Sequence, residues 1–157
     1  MTGDPHDAGQ AAARAALASV APAAVLGYEG TRPIVVGGGI AISITHSRTR
    51  AFAVAARVDR IGIDIVDDAD PRIVRIAPRY LERERAFART PGELARCFAA
   101  KEAGLKALGL GLLDGGMFET CAVDVISLEP PRLATTSHPL SLVFSRAGSS
   151  TLAIAFG

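Results

Sequence analysis

The sequence predicts an α+β protein in which an antiparallel sheet packs against helices. Its periodic segments run in the order strands, helices, strands, and this order is typical of α+β folds. No dinucleotide-binding glycine fingerprint follows any predicted strand, which argues against a doubly wound parallel sheet. The 157 residues suffice for one domain. Hydrophobic residues make up 49% of the chain and charged residues 21%, so disordered and collagen-like classes are excluded.

Charge and targeting signals narrow the classes of function. The 17 basic and 16 acidic residues give a net charge of +1, which argues against bulk-charge binding to nucleic acid or an anionic membrane. No apolar run reaches the length of a membrane span, and the polar N-terminus does not resemble a secretory signal. Cys97 and Cys121 have neither metal-ligand spacing nor a disulfide framework. We therefore expect a cytoplasmic protein with reduced thiols.

The N-terminal segment is predicted to be peripheral. Residues 1–9 are expected to form a loose tail. The alanine-rich residues 11–20 are expected to form a short helix that Pro22 stops. We expect residues 1–26 to consist of this tail and helix, and residues 27–157 to form a single domain.

Alternating and β-branched runs predict the strands. The first four lie at residues 34–36, 41–45, 51–57 and 61–66, and the last four at about 118–127, 131–135, 139–145 and 151–156. The glycines at 37–39 predict a turn, because neither a helix pattern nor a phosphate-loop lysine follows them.

Capping signals predict the helices between these two groups of strands. Asp70 and Pro71 begin a helix that we expect to break before Pro78. Residues 79–89 have a strongly helical pattern. The last helix is delimited by a capping box and a terminal glycine, at Thr90, Glu93 and Gly109.

The two lysines of the chain lie five residues apart on this last helix, whereas the other 15 basic residues are arginines. The helix carries an apolar stripe made of Leu94, Phe98, Leu105 and Leu108. Lys101 falls in the middle of that stripe, and Glu102 and Lys106 lie along its edge. Such a break in the apolar pattern is typical of functional sites. The alternatives are that Lys101 extends its ammonium to solvent, and that Glu102 and Lys106 form a surface ion pair.

Asp64 is a carboxylate within an apolar, β-branched strand, where burial is costly unless the charge is paired or binds a metal. Together, Asp64 and Glu102 would supply two oxygen ligands for a hard cation such as Mg²⁺ (or Mn²⁺), with waters and substrate phosphates as further ligands. This combination predicts metal-assisted phosphoryl or diphosphate chemistry. The alternative for Asp64 is a salt bridge to an arginine.

A group of hydrogen-bond donors follows the strand at 41–45. His46 is flanked by Thr45, Ser47, Arg48 and Arg50. Such a cluster suits an anion, and Arg32 in a nearby turn would be able to join it. The alternative is an ordinary polar hairpin turn.

Three of these segments, in this order, resemble the motifs of the 4′-phosphopantetheinyl transferases. They are THS at 45–47, GIDIV at 62–66 and FAAKEAGLKALG at 98–109. The third segment is the most specific. The order of the motifs is similar to that of the longer, Sfp-type enzymes. The residues of the third motif are similar to those of the shorter holo-(acyl-carrier-protein) synthase type. The resemblance runs from about residue 27 to the C-terminus.

The resemblance implies that the protein moves the phosphopantetheine arm of coenzyme A to a serine of an apo carrier protein and releases 3′,5′-ADP. It implies that Asp64 and Glu102 bind the metal, and that Glu102, Lys106 and Asp64 are the catalytic residues, with Glu102 as the candidate base. It also implies a set of coenzyme A-binding residues, namely His46, Thr45, Ser47, Arg32, Lys101 and Lys106.

The sequence departs from the long type of this family in two ways. A second acid usually lies two residues after the aspartate, whereas this chain has Val66, so water, Asp67 or Asp68 must complete the metal shell. The chain also has about one half of the two-half long form plus a closing hairpin. We therefore expect a homo-oligomer, with a truncated monomer or a domain of a larger synthase as alternatives.

An arginine-rich region precedes the lysine-bearing helix, at Arg72, Arg75, Arg79, Arg83, Arg85 and Arg89. Carrier proteins are usually acidic, so this region is a candidate docking surface; the alternative is a solvated face with internal ion pairs.

Two other functions are kept as alternatives to the transferase. One is a degenerate carrier-protein- or coenzyme A-binding module of a synthase, and the other is an unrelated coenzyme A- or nucleotide-binding domain.

Overall fold

The computed structural model describes residues 5–47, 50–110 and 122–157. Helices in these ranges are α1 (Pro5–Val20), α2 (Pro71–Tyr80) and α3 (Pro91–Ala107), with a short 3-10 helix at Glu84–Ala86. The strands are β1 (Val25–Glu29), β2 (Arg32–Val36), β3 (Ala41–His46), β4 (Ala51–Ala56), β5 (Ile61–Asp67), β6 (Val123–Leu128), β7 (Pro131–Thr135), β8 (Ser141–Ala147) and β9 (Ser150–Phe156). The predicted α+β class is confirmed.

The strand pairs are antiparallel throughout the described residues. β1–β2, β3–β4 and β6–β7 are separate hairpins, and β9 lies between β5 and β8 in a three-stranded sheet. The register places Asp64 opposite Ala153. β3 lies on the other side of β5, where the amide of Ile63 donates a hydrogen bond to Oγ of Ser43 at 3.1 Å. β5 therefore runs between the β3–β4 hairpin and β9.

Helix α3 packs across β5 and β9 at the centre of the larger core. Its contact face consists mainly of small residues, including the fully buried Ala99, Ala103 and Ala107. Gly62 on β5 allows a closer approach still. A β-carbon at residue 62 would lie 1.9 Å from the carbonyl oxygen of Ala103 and 2.6 Å from the amide nitrogen of Ala107. Helix and strand therefore meet through their backbones, and this contact fixes their relative position.

The N-terminal segment is more ordered than the sequence indicates. Helix α1 begins at Pro5, so the prediction of a loose tail is wrong for residues 5–9. The helix is stabilised by docking, because Ala13 and Leu17 are buried against Ile42 and the rest of the β3–β4 hairpin. The sequence analysis did not predict β1, the first strand of the β1–β2 hairpin. The division of the chain at residue 26 stays a prediction.

The region between the two groups of strands departs most from the prediction. Asp70 caps α2 as expected, since its side chain accepts a hydrogen bond from the amide of Arg72. Pro78 does not end the helix, which continues to Tyr80 because burial of Ala77 and Leu81 offsets the missing backbone bond. Residues 79–89 do not form the continuous helix that their pattern predicts. Helix α2 ends at Tyr80, and only a short 3-10 helix follows, where the Glu84 carboxylate is buried in the core.

The capping box at Thr90 and Glu93 is confirmed, and Gly109 ends the helical region with a φ of +75°. The turn at residues 37–39 is also confirmed, with positive φ at all three glycines. The start of the predicted strand at 118–127, together with Cys121 and Arg48, lies outside the described residues. In the part of the chain that is described, no helix is long and apolar enough to cross a membrane.

Candidate active site

Polar side chains from β3, β5 and α3 meet around the middle of β5. Asp64 is only 8% exposed. Its Oδ1 accepts a hydrogen bond from Oγ1 of Thr45 at 2.9 Å and another from Nζ of Lys106 at 2.7 Å. Lys106 also donates to the carbonyl of Ile63 at 3.1 Å, so it ties α3 to β5. These partners offset the cost of burying the carboxylate.

This arrangement decides between the alternatives left open by the sequence. The cation paired with Asp64 is Lys106, not an arginine. Lys106 is hydrogen-bonded across to the strand, whereas the alternative placed it in a surface pair with Glu102. The Thr45 hydroxyl orients the carboxylate on β5, a contact between the first two sequence motifs that their separation in the chain does not reveal.

Glu102 lies on α3 one turn before Lys106. Its Oε1 is buried and has no hydrogen-bond partner among the described residues. Burial, and then the negative charge of Asp64, raise the pKa of Glu102 to about 7, although Lys106 lowers it. The site therefore contains a buried carboxylate with an unmatched acceptor, close to a second carboxylate. Such a donor set is complementary to a small hard cation.

The neighbouring acids do not extend this pair. Asp67 accepts a hydrogen bond from the Ser150 hydroxyl, and Asp68 binds Arg146 and Thr151. Val66 is buried in the core. Within the described ranges no group of three or more His, Cys, Asp or Glu side chains is placed to hold a metal. Two carboxylates still fit Mg²⁺, because this ion usually keeps several waters and substrate phosphates as ligands.

Two cavities flank His46 at the end of β3. The larger cavity has a volume of about 540 Å³, and its lining includes His46, Ser47, Asp64, Asp70, Arg72, Arg75 and Phe98. The smaller cavity has a volume of about 380 Å³, and its lining includes Gly9, Gln10, Tyr28, Thr31, Thr45, His46 and Lys106. His46 is shared by the two cavities, and Asp64 and Lys106 each line one of them. Asp64 and Lys106 are thus reached from different sides of His46, whereas Glu102 lines neither cavity.

Two predicted site residues lie elsewhere. Lys101 is buried, with Nζ donating to Glu84 at 3.0 Å and to the carbonyl of Tyr80 at 3.2 Å, and it lines neither cavity. These contacts contradict the alternative of a solvent-exposed ammonium. The role of Lys101 in coenzyme A binding stays a prediction. The guanidinium of Arg32 packs against Gly109 at the end of α3, and Arg32 lines neither cavity.

The partner of Lys101 is the residue that sequence reasoning missed. Glu84 is 0% exposed, and its Oε1 also accepts a hydrogen bond from the amide of Val125. It lies in a run of alternating glutamates and arginines, which is typical of a solvated helix surface. The signal in the sequence was indirect, because a lysine in an apolar stripe needs an acidic partner only if its ammonium is buried.

Comparisons with known proteins agree with the motif pattern. The sequence model of the 4′-phosphopantetheinyl transferase superfamily matches residues 60–156. The chain is 38% identical over 101 residues to a holo-[acyl-carrier-protein] synthase of Solidesulfovibrio magneticus, an alignment that covers 58% of this chain and 80% of that protein.

Solved structures of holo-[acyl-carrier-protein] synthases also match. The Bacillus anthracis structure, in complex with CoA (3′,5′-ADP), has 29% identity and a TM-score of 0.45, covering 61% of this chain and 92% of that one. The Helicobacter pylori structure, in complex with coenzyme A, has 23% identity and a TM-score of 0.43, covering 61% of this chain and 97% of that one.

The sequence matches define the protein as a transferase. More particularly, the chain belongs to the 4′-phosphopantetheinyl transferase superfamily, whose model covers more than half of its length.

Proposed function

We propose that this protein transfers the 4′-phosphopantetheine arm of coenzyme A to a serine of an apo carrier protein and releases 3′,5′-ADP. The observation that carries the proposal is the cluster of Asp64, Glu102 and Lys106, which lie together although 42 residues separate the first from the last. Two carboxylates and an ammonium on a rigid helix–strand contact suit the alignment and neutralisation of a diphosphate.

In the proposed reaction, the serine oxygen of the carrier forms a bond to the β-phosphorus of coenzyme A, and the bond from that phosphorus to the bridging oxygen breaks. The 3′,5′-ADP leaves with that electron pair. Glu102 is the group proposed to accept the serine proton. Lys106 offsets negative charge on the phosphates, and Thr45 holds Asp64 in position.

Asp64 and Glu102 are the residues that would hold Mg²⁺ (or Mn²⁺). When bound, the ion would neutralise the diphosphate and align it for displacement. The two carboxylates would bind and orient it on a fixed framework, since one is on β5 and the other on α3, and these elements meet at Gly62.

The exposed end of β3 is proposed to hold the 3′-phosphate of coenzyme A. His46 lies where the two cavities meet, and Ser47 lines the larger one. Lys101 and Arg32 are not part of this proposal, because Lys101 is ion-paired with Glu84 and neither residue lines the two cavities.

The carrier protein is proposed to dock at the mouth of the larger cavity. Arg72 and Arg75 of α2 line this cavity, and Arg72 is ion-paired with Asp70. Arginines beside the catalytic cluster would attract an acidic carrier surface and mainly accelerate its association.

We also propose that copies of the chain assemble into a homo-oligomer. The proposal is supported by Val25 and Val36, which are exposed apolar neighbours on paired strands, and sedimentation velocity would measure the oligomeric state.

Intact-protein mass spectrometry tests the proposal. Several apo carrier proteins are incubated with the chain, coenzyme A and Mg²⁺, with and without EDTA. A mass gain of one phosphopantetheine arm that EDTA abolishes supports the proposed reaction and identifies the preferred carrier. No gain on any carrier, with coenzyme A still bound, favours the degenerate binding module instead, a reading that the buried Val66 supports.

A further inference from the structure

Helix α1 makes an unusually close contact with the proposed coenzyme A site. Nε2 of His46 lies 2.2 Å, and Cε1 lies 2.9 Å, from the position that a β-carbon on residue 9 would take. Residue 9 is a glycine, so no such atom exists and the imidazole packs directly against the helix backbone. Any larger residue at this position would occupy the space of the ring.

The same part of α1 forms a wall of the smaller cavity. Gly9 and Gln10 line it on one side, and Lys106 lines it as well. The helix is held in this position by Ala13 and Leu17, which are buried against the β3–β4 hairpin. The backbone of α1 at Gly9 is therefore held in place beside His46, although α1 lies outside the segment that the superfamily model matches.

We propose that Gly9 is a positioning residue for His46. The missing side chain lets the imidazole lie against α1, and this packing selects one orientation of the ring at the junction of the two cavities. Coenzyme A then meets a His46 that is already oriented, so little conformational freedom is lost on binding. The functional part of the inference rests on the proposed role of His46, whereas the packing of the ring does not.

The substitution Gly9→Ala separates this role from stability. Its β-carbon would also lie 3.3 Å from Cγ2 of Ile44, but the serious overlap is with the ring. His46 is exposed, so its side chain is able to turn away while the fold persists. Alanine is also a better helix former than glycine, so α1 itself is not weakened. The expected defect is a displaced imidazole in a folded protein.

Gly92→Ala is the matched control. Gly92 is also a helical glycine, and a β-carbon there would meet nothing within 4 Å. The experiment compares the wild type, Gly9→Ala, Gly92→Ala, His46→Ala and the double variant Gly9→Ala/His46→Ala. Coenzyme A affinity is measured by calorimetry, and KM and kcat by carrier modification. The imidazole resonances are recorded by heteronuclear NMR, where His46→Ala identifies the His46 signal among three histidines.

The proposal expects Gly9→Ala to shift the His46 resonance and to weaken coenzyme A binding roughly tenfold, the scale of one hydrogen bond to a charged group. KM for coenzyme A should rise more than kcat falls. In the His46→Ala background the same substitution should have no further effect, because a residue that acts only through His46 is fully coupled to it. Gly92→Ala should match the wild type throughout.

Two outcomes would overturn the inference. An unshifted His46 resonance in Gly9→Ala would exclude the positioning role, whatever His46 binds. Equal weakening of coenzyme A binding in the presence and absence of His46 would show that Gly9 acts by another route. By contrast, a shifted resonance with normal coenzyme A affinity in His46→Ala would uphold the positioning of the ring and contradict the proposed function of His46.

Discussion

Replacing Gly62 by alanine tests the contact that holds the candidate active site together. The new β-carbon would lie 1.9 Å from the carbonyl oxygen of Ala103. The atoms that the new β-carbon meets belong to the backbone of α3, so no side chain is able to turn away. Helix α3 must therefore move from β5 by roughly 1 Å or more to restore a normal contact. Overpacking of this kind costs about 1–3 kcal/mol of unfolding free energy.

The functional loss from Gly62→Ala should exceed what its stability loss explains. Lys106 reaches Asp64 at 2.7 Å, and a displacement of roughly 1 Å breaks that hydrogen bond. Misplacement on this scale costs on the order of a hundredfold in rate. Urea denaturation would measure stability, and initial rates of carrier modification would measure activity well below the unfolding transition. The strand glycine variant Gly27→Ala is the control, because its β-carbon would meet only side-chain atoms, at 3.3 Å or more. Wild-type stability and activity in Gly62→Ala would refute the reasoning.

Three further predictions concern buried ionisable groups. Because the folded state raises the pKa of Glu102 from 4.5 to about 7, the stability it contributes is present below pH 4.5 and lost as the pH rises through 7. Glu102→Gln should lose transfer when assayed with Mg²⁺. Without metal, the same variant should exceed the wild type in unfolding free energy at pH 8, by up to about 3 kcal/mol; equal stability at pH 8 would contradict this. Lys101→Met should lower the unfolding free energy by about 3–5 kcal/mol, because it leaves the Glu84 carboxylate buried without its cation, and adding Glu84→Gln should restore part of the loss in urea denaturation. Burial raises the pKa of the Cys97 thiol to about 12, so a Cys121→Ser variant should react with a disulfide reagent only when unfolded, and rapid native reaction would count against that burial.

Some features of this fold follow from local sequence and others do not. The capping box at Thr90 and the acid cap at Asp70 were predictable because each depends on residues within one helical turn. The course of residues 79–89 was not, because a buried contact between Glu84 and Lys101 overrides the helical propensity of the segment. Pro78 predicts a helix end that the structure does not have, because packing of Leu81 outweighs one lost hydrogen bond.

The same distinction applies to the candidate site. Asp64 and Lys101 both break an apolar pattern, so the sequence marks both as unusual without naming their partners. The structure pairs Asp64 with Lys106, and Lys101 with Glu84 on another side of the helix. Choosing between a cluster accessible from a cavity and a buried structural ion pair requires long-range geometry. The roles of Gly9 and Gly62 are invisible in sequence for the same reason, because each depends on atoms from a distant element.

The rate of holo-carrier formation by wild type and Asp64→Asn tests the central claim most directly. Asparagine keeps the shape of residue 64 and an acceptor for Thr45 and Lys106, but removes the charge that would hold a metal. With saturating coenzyme A, Mg²⁺ and the preferred apo carrier, intact-mass analysis should show a phosphopantetheine gain by the wild type and a rate at least roughly a hundredfold lower in the folded variant. Transfer by both proteins at the same rate would contradict the assignment of this cluster as the active site.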